Sequence, residues 1–263
     1  MDLELTGRVA MVAAASKGIG FAAAESLARE GCRVSICSRT REALERARAS
    51  LERAVPGADV LAVPCNLAEA KDLESWFSTT VEKLGPVDIL MTNSGGPPAA
   101  RFEELTESQW SDGIAGTLMN VVRLSRLVIP GMRERKWGRI VHLTSFVAKQ
   151  PMELLTISST IRAGLSALTK TMANQVAGDN ILVNAVLPGH VATDRQIELN
   201  EIRAKKEGIS VEEYTARTHS ALPMRRAAQP RELGDVIAFL CSQRASYVSG
   251  ISLLVDGTLV SGI

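Results

Sequence analysis

The chain has 263 residues, of which 46% are hydrophobic and 22% charged, with a formal net charge of +1. This is ample apolar material for one sizeable core and too much for a disordered chain. The near-neutral charge offers no broad field to nucleic acid or to an anionic membrane, and no apolar run approaches the ~18 residues that span a bilayer.

Short apolar runs alternate with longer amphipathic ones. "RVAMVAA" leads into "IGFAAAESLARE", "CRVSICS" into "REALERARASLERA", and "DVLAVPC" into "AEAKDLESWFSTTVEKL". "VDILMTN" precedes a long helical stretch from Glu107 to Arg135, and "GRIVHLTS" precedes a helix that opens with "TISSTIRAGL". "NILVNAVLP", a helical "RELGDVIAFLCS" and a last strand "GISLLVDG" complete the series. The apolar runs are rich in Val, Ile and Leu and hardly alternate, the pattern of strands buried on both faces. Strand–helix repetition of this kind predicts an α/β fold, a doubly wound parallel sheet of about seven strands with right-handed crossovers and helices on both faces. One domain is expected over residues 1–263, with a charged, partly helical, lid-like segment at about 193–222 that is longer than an ordinary connection.

Cys32, Cys37, Cys65 and Cys241 form no C-x-x-C pair and read as reduced, buried thiols. His142, His190 and His219 are scattered, so no metal site is expected. The acidic start "MDLELTGRVAMVAAAS" is unlike a secretory signal, and a cytoplasmic location is expected. The basic run "MRERKWGR" falls at a helix end, where cations suit the dipole.

Ligands of such sheets bind beyond the carboxyl ends of the strands, near the point where strand order reverses. After the first strand comes "AAASKGIG", Ala13–Gly20, opening directly into a helix. Ser16, Lys17, Gly18, Ile19 and Gly20 thereby become candidates for holding a pyrophosphate, since glycines permit close backbone approach and the helix start offers unpaired N–H groups. The second strand ends Cys37-Ser38-Arg39-Thr40-Arg41, with no carboxylate to bond a ribose 2′-hydroxyl. Arg39, with Lys17 able to approach the same group, suits a 2′-phosphate, so NADP(H) is expected over NAD(H).

Taken together, these motifs resemble the short-chain dehydrogenase/reductase superfamily, in particular members similar to β-ketoacyl-acyl-carrier-protein reductase, over nearly the whole chain. The family's T-G-x-x-x-G-x-G loop appears as Ala13-Ala14-x-x-x-Gly18-x-Gly20, and its N-N-A-G turn as "NSGG", Asn93–Gly96. Its acidic adenine contact becomes Asn66, followed by Leu67, and its P-G turn lies in "VNAVLPGHVATD". The resemblance implies that Ser38, Asn93 and Gly95 border the cofactor, that Pro188, Gly189 and Val191 line the nicotinamide, and that Thr193 bonds its carboxamide. It also implies a homodimer or homotetramer.

The family's catalytic serine falls on Ser145. Its tyrosine position falls on Ser158, its lysine on Arg162 and its asparagine on Thr117, so one of the four residue types is kept. A serine hydroxyl is a poor acid, and arginine holds its proton. Lys149, Glu153, His190 and Tyr214 are the nearby alternatives for a proton donor. Two readings stay open: an NADP-dependent oxidoreductase of an apolar carbonyl or alcohol with an atypical site, or a catalytically inactive NADP-binding homologue acting as a sensor or oligomer partner. In the second, Ser158 caps its helix and Arg162 pairs locally.

Overall fold

The computed structural model describes residues 1–262. In chain order the elements are β1 (Val9–Val12), α1 (Gly18–Arg29), β2 (Arg33–Ser38), α2 (Arg41–Ala54), β3 (Val60–Pro64), α3 (Ala70–Leu84) and β4 (Ile89–Thr92). They continue with α4 (Glu107–Gly113), α5 (Asn120–Glu134), β5 (Gly138–Leu143), α6 (Thr156–Val176), β6 (Ile181–Pro188), α7 (Asp194–Glu207), α8 (Val211–Ala221), α9 (Pro230–Cys241) and β7 (Ser252–Val255). The seven strands form one parallel sheet in the order β3-β2-β1-β4-β5-β6-β7. The order reverses between β1 and β4, so their carboxyl ends open a crevice there.

Successive strand residues serve opposite faces, as the period of two requires. Ala10, Val12, Ile36, Ile89 and Met91 join the core beneath α1, α2 and α9, while Met11, Cys37, Leu90 and Ile140 join the core beneath α3, α5 and α6. Both faces being covered explains why the strands read as unbroken apolar runs. One buried polar cluster in this interior is satisfied: Trp76 Nε1 donates to Ser35 Oγ at 2.8 Å, and Ser35 meets Thr80 at 2.7 Å.

Two expectations need correction. The stretch Glu107–Arg135 is not uniformly α-helical, because residues Ile114–Met119 form a π-helical segment between α4 and α5. Ile157 of α6 packs so closely on Gly113 that a Cβ there would sit 2.6 Å from its Cγ2. Ser158 does not cap α6 in the way the inactive-homologue reading expects. Its N-cap is Leu155, with no side-chain cap, because Ala100 N–H donates to Leu154 O at 2.9 Å and pins the entering chain one residue too early. The basic run at the end of α5 is taken up internally: Arg133 and Lys136 both bind Asp179, and Arg135 donates to Val87 O. Residues 193–222 fold largely as α7 and α8.

Candidate active site

The loop from β1 to α1 is tied to both neighbouring strands. Ala13 N–H donates to Met91 O at 2.9 Å, and Ala15 N–H to Cys37 O at 3.0 Å. Ala14, where the related loop has glycine, sits in the left-handed region at φ +48, a conformation that costs an alanine about 1–2 kcal/mol. Gly20 passes behind this residue. A Cβ on it would lie 2.5 Å from Ala14 O and 3.0 Å from Asn93 Nδ2, so only glycine fits. Asn93 completes the lock by donating from Nδ2 to Ala14 O at 3.4 Å while its Oδ1 accepts from Ser94 N–H at 2.8 Å.

Helix α1 has no side-chain cap and no acidic residue in its first turn. Its unpaired N–H groups and positive dipole end therefore remain for an anion. A cleft of about 1170 Å³ opens against this end. Ser16, Lys17 and Gly18 line it from the loop, and Ser38 and Arg39 from the end of β2. Asn66 and Leu67 contribute from the end of β3, Asn93 and Gly95 from the end of β4, and buried Thr117 from the π-helical segment. Asn66 is itself held as a turn, its N–H donating to Asp72 Oδ2 at 2.8 Å and its Oδ1 accepting from Ala68 N–H at 3.2 Å.

Ile19, Gly20, Pro188, Gly189, Val191 and Thr193 lie beside this cleft rather than on its wall. Gly189 N–H donates to Val255 O at 3.1 Å, Val191 is buried, and Thr193 Oγ1 caps α7 by accepting from Gln196 N–H at 3.4 Å. The base of α7 rests on the glycine loop: the Thr193 methyl would lie 3.4 Å from a Cβ on Gly18, and Lys17 Nζ is 3.2 Å from Asp194 Oδ2. Lys17 thus has a carboxylate partner at the cleft mouth. An apolar hollow of about 480 Å³ lies between α7 and α8, lined by Ile197, Val211, Thr215, Ala216 and His219 among others.

Ser145, Ser158 and Arg162 are not among the residues that line this cleft; they form a separate cluster organised by Arg162. Its Nε donates to Ser158 Oγ at 3.1 Å, and Nη1 donates to Thr144 O at 2.6 Å and Leu143 O at 3.4 Å. The four-residue spacing of Ser158 and Arg162 on α6 therefore becomes a real contact. The bonds to β5 set both residues beside the residue that precedes Ser145. Ser145 is half-buried and opens a short 3-10 turn, its Oγ accepting from Val147 N–H at 3.4 Å. Burial pushes the Arg162 guanidinium down to about 10, still protonated at neutral pH. Among the described residues no carboxylate pairs with it. Ser158, accepting from this cation, keeps its O–H free to donate.

The alternative proton donors divide. Glu153 is exposed and paired with Arg101 at 2.8 Å, Tyr214 lies under Arg217, and Lys149 is exposed. His190 packs beside Phe146, the residue after Ser145, with ring centroids 6.1 Å apart. Burial, and then Arg203 and His219, hold its pKa below the usual histidine value, so it is neutral at pH 7. Sequence reasoning missed Arg46, Phe21 and Asp112, which also line the cleft. The small residues Ala43, Ala47 and Ser50, spaced as one helix face, were the signal that this side of α2 borders a groove.

Residues 13–259 match the family model described as enoyl-(acyl carrier protein) reductase. The chain is 32% identical to the 3-oxoacyl-acyl-carrier-protein reductase of Vibrio cholerae, across 97% of this chain and 98% of that one. It superposes on L-sorbose reductase from Gluconobacter frateurii, solved with NADPH and L-sorbose, with a TM-score of 0.95, 32% identity and full coverage of both chains. Against the actinorhodin polyketide ketoreductase with NADPH the TM-score is 0.92 at 32% identity, covering 96% of this chain and 97% of that one.

Proposed function

The chain belongs to the short-chain dehydrogenase/reductase family of oxidoreductases, and from that premise we propose that it is an NADP(H)-dependent oxidoreductase of a carbonyl/alcohol pair in which Ser158 and Arg162 stand where the family's tyrosine and lysine stand. The observation that carries this reading is the cleft itself. It starts at the uncapped end of α1 and reaches exposed Arg39, for which no counter-ion stands among the described residues. That donor set fits a dinucleotide phosphate: N–H groups for the pyrophosphate and a guanidinium for a 2′-phosphate. Relatives solved with NADPH support the choice.

A nicotinamide bound in such a cleft supplies or takes up a hydride. The chain's own part is to hold the substrate oxygen. Ser145 and Ser158 donate hydroxyl hydrogen bonds to it, and the Arg162 charge, in a site of low dielectric, favours negative charge developing there. Neutral His190, packed against the residue after Ser145, is our choice for the group that takes a proton in the alcohol-oxidising direction. The apolar hollow between α7 and α8 supports an apolar substrate. A homodimer or homotetramer is supported by the half-exposed edge strand β7 together with exposed Phe239 and Tyr247.

A second reading has its own observation. Arg162 spends its Nε and Nη1 donors within the protein, as a purely structural brace would, which favours an inactive NADP-binding homologue. One experiment separates the two: a panel of apolar ketones and alcohols with purified protein and NADP(H), repeated with Ser158→Ala. The oxidoreductase reading expects turnover that falls at least about tenfold in the variant while the NADPH dissociation constant is unchanged. Tight NADPH binding with no turnover on any substrate would establish the inactive homologue instead.

A further inference from the structure

The cleft does not stop at the β2–α2 turn. It continues beside α2, where Ala43, Arg46, Ala47 and Ser50 line it opposite Phe21 of α1. Arg46 is the only charged residue that α2 itself contributes to this wall, and three small residues around it leave room beside the guanidinium. Its neighbour Arg48 pairs with Glu52 at 2.8 Å, one helical turn on. Arg46 has Glu42 one turn back, in the orientation that stabilises such pairs, yet no ion pair joins them. Arg46 is exposed and borders the cleft with no ion-pair partner among the described residues.

Helix geometry says where its charge goes. Arg46 lies five residues after the start of α2, ~7.5 Å along the axis. Helical side chains lean toward the N-terminus, and an extended arginine covers most of that distance. Its guanidinium is therefore within reach of Arg39 and Thr40, which line the same cleft. Two cations gathered at a helix N-terminus repel each other and oppose the dipole. A doubly charged anion between them removes both penalties, and two planar guanidinium groups can bond a phosphate from two sides. Lys17 has a carboxylate partner, Asp194, at the mouth of the cleft.

We infer that Arg46 is a specificity-determining residue: with Arg39 it forms a two-guanidinium clamp for the 2′-phosphate of the adenosine half of NADP(H). The inference rests on the NADP(H) reading above. It is tested by calorimetric titration with 2′,5′-ADP and 5′-AMP, which need no turnover, on wild type, Arg46→Gln, Arg39→Gln and the control Arg48→Gln. Glutamine keeps helix propensity, and unchanged thermal midpoints show that α2 is intact. The wild type is expected to prefer 2′,5′-ADP. Arg46→Gln should weaken 2′,5′-ADP by about tenfold or more while leaving 5′-AMP unchanged, and Arg48→Gln should change neither. If the wild type shows no preference for the 2′-phosphate, the NADP(H) reading fails and takes the clamp with it. If Arg39→Gln loses the preference and Arg46→Gln retains it in full, the clamp alone is overturned.

Discussion

Replacing Arg162 with methionine pits two terms of similar size against each other. Burial holds the guanidinium near 10 rather than 12.5. That depression means the folded protein bears a penalty of about 3 kcal/mol for keeping the group charged, which Arg162→Met removes. The same change strips donors from Thr144 O, at 2.6 Å, and Ser158 Oγ, at 3.1 Å, both buried, and weakens the longer contact to Leu143 O. Each buried group left without a partner costs about 1–3 kcal/mol. With two full losses and a partial third, the lost bonds outweigh the relief, and a net destabilisation of about 1–2 kcal/mol is expected. In a chain of this size that lowers the thermal midpoint by about 2–8 °C. The assay is urea unfolding followed by circular dichroism, with an unchanged m-value showing that only stability has moved. The double variant with Ser158→Ala should be less destabilised than the sum of the singles, because the two share one bond. An Arg162→Met protein as stable as wild type, or more so, would refute the brace and show a cation held at net cost.

His142 on β5 is fully buried, with Nδ1 2.9 Å from Thr169 Oγ1 and no partner for Nε2, and burial pushes its pKa down to about 4. The unfolded chain takes up a proton near 6.5 while the folded one does not. Stability is therefore full above about 6.5 and falls by up to about 3 kcal/mol as pH drops toward 4; His142→Asn should flatten that slope in unfolding titrations, and an unchanged slope counts against the assignment. Gly20→Ala should cost about 2–3 kcal/mol, since its Cβ would stand 2.5 Å from Ala14 O, and the displaced loop should bind NADPH at least about tenfold more weakly. A wild-type midpoint and affinity in that variant would show that the loop can yield.

The fold was legible because its strands are buried on both faces, so Val9–Val12 or Ile181–Pro188 could hardly be anything else. The Ser158–Arg162 contact was legible too, since four residues is one helical turn. What escaped reading was decided at long range. The partners of Arg162 are main-chain carbonyls of Leu143 and Thr144, which carry no side-chain signature. The π-helical stretch Ile114–Met119 has the composition of an ordinary helix, and its neighbour Ile157 lies far along the chain. The cap of α6 moved to Leu155 because Ala100, some fifty residues earlier, pairs with that segment. Arg46 is one of several arginines on α2, and the sequence does not say which of them borders the groove.

The residues proposed for the site share a physical direction. In the proposed function Ser158 stands where the family has tyrosine, an acid that can contribute about 10²–10⁴ in rate, whereas orienting two bound reactants supplies effective molarities of ~10⁵–10⁸ M. Arg162 bears on the second term. By binding Thr144 O, Leu143 O and Ser158 Oγ together it holds the start of α6 against the end of β5, and with it the relation between Ser158 and Ser145. Lysine, with one compact ammonium, cannot reach three acceptors in the same planar arrangement. Arginine at the position proposed for the family's lysine would thus strengthen positioning where the proposed site lacks that acid. The proposed function therefore expects turnover that is slow and confined to substrates whose oxygen needs little help from an acid.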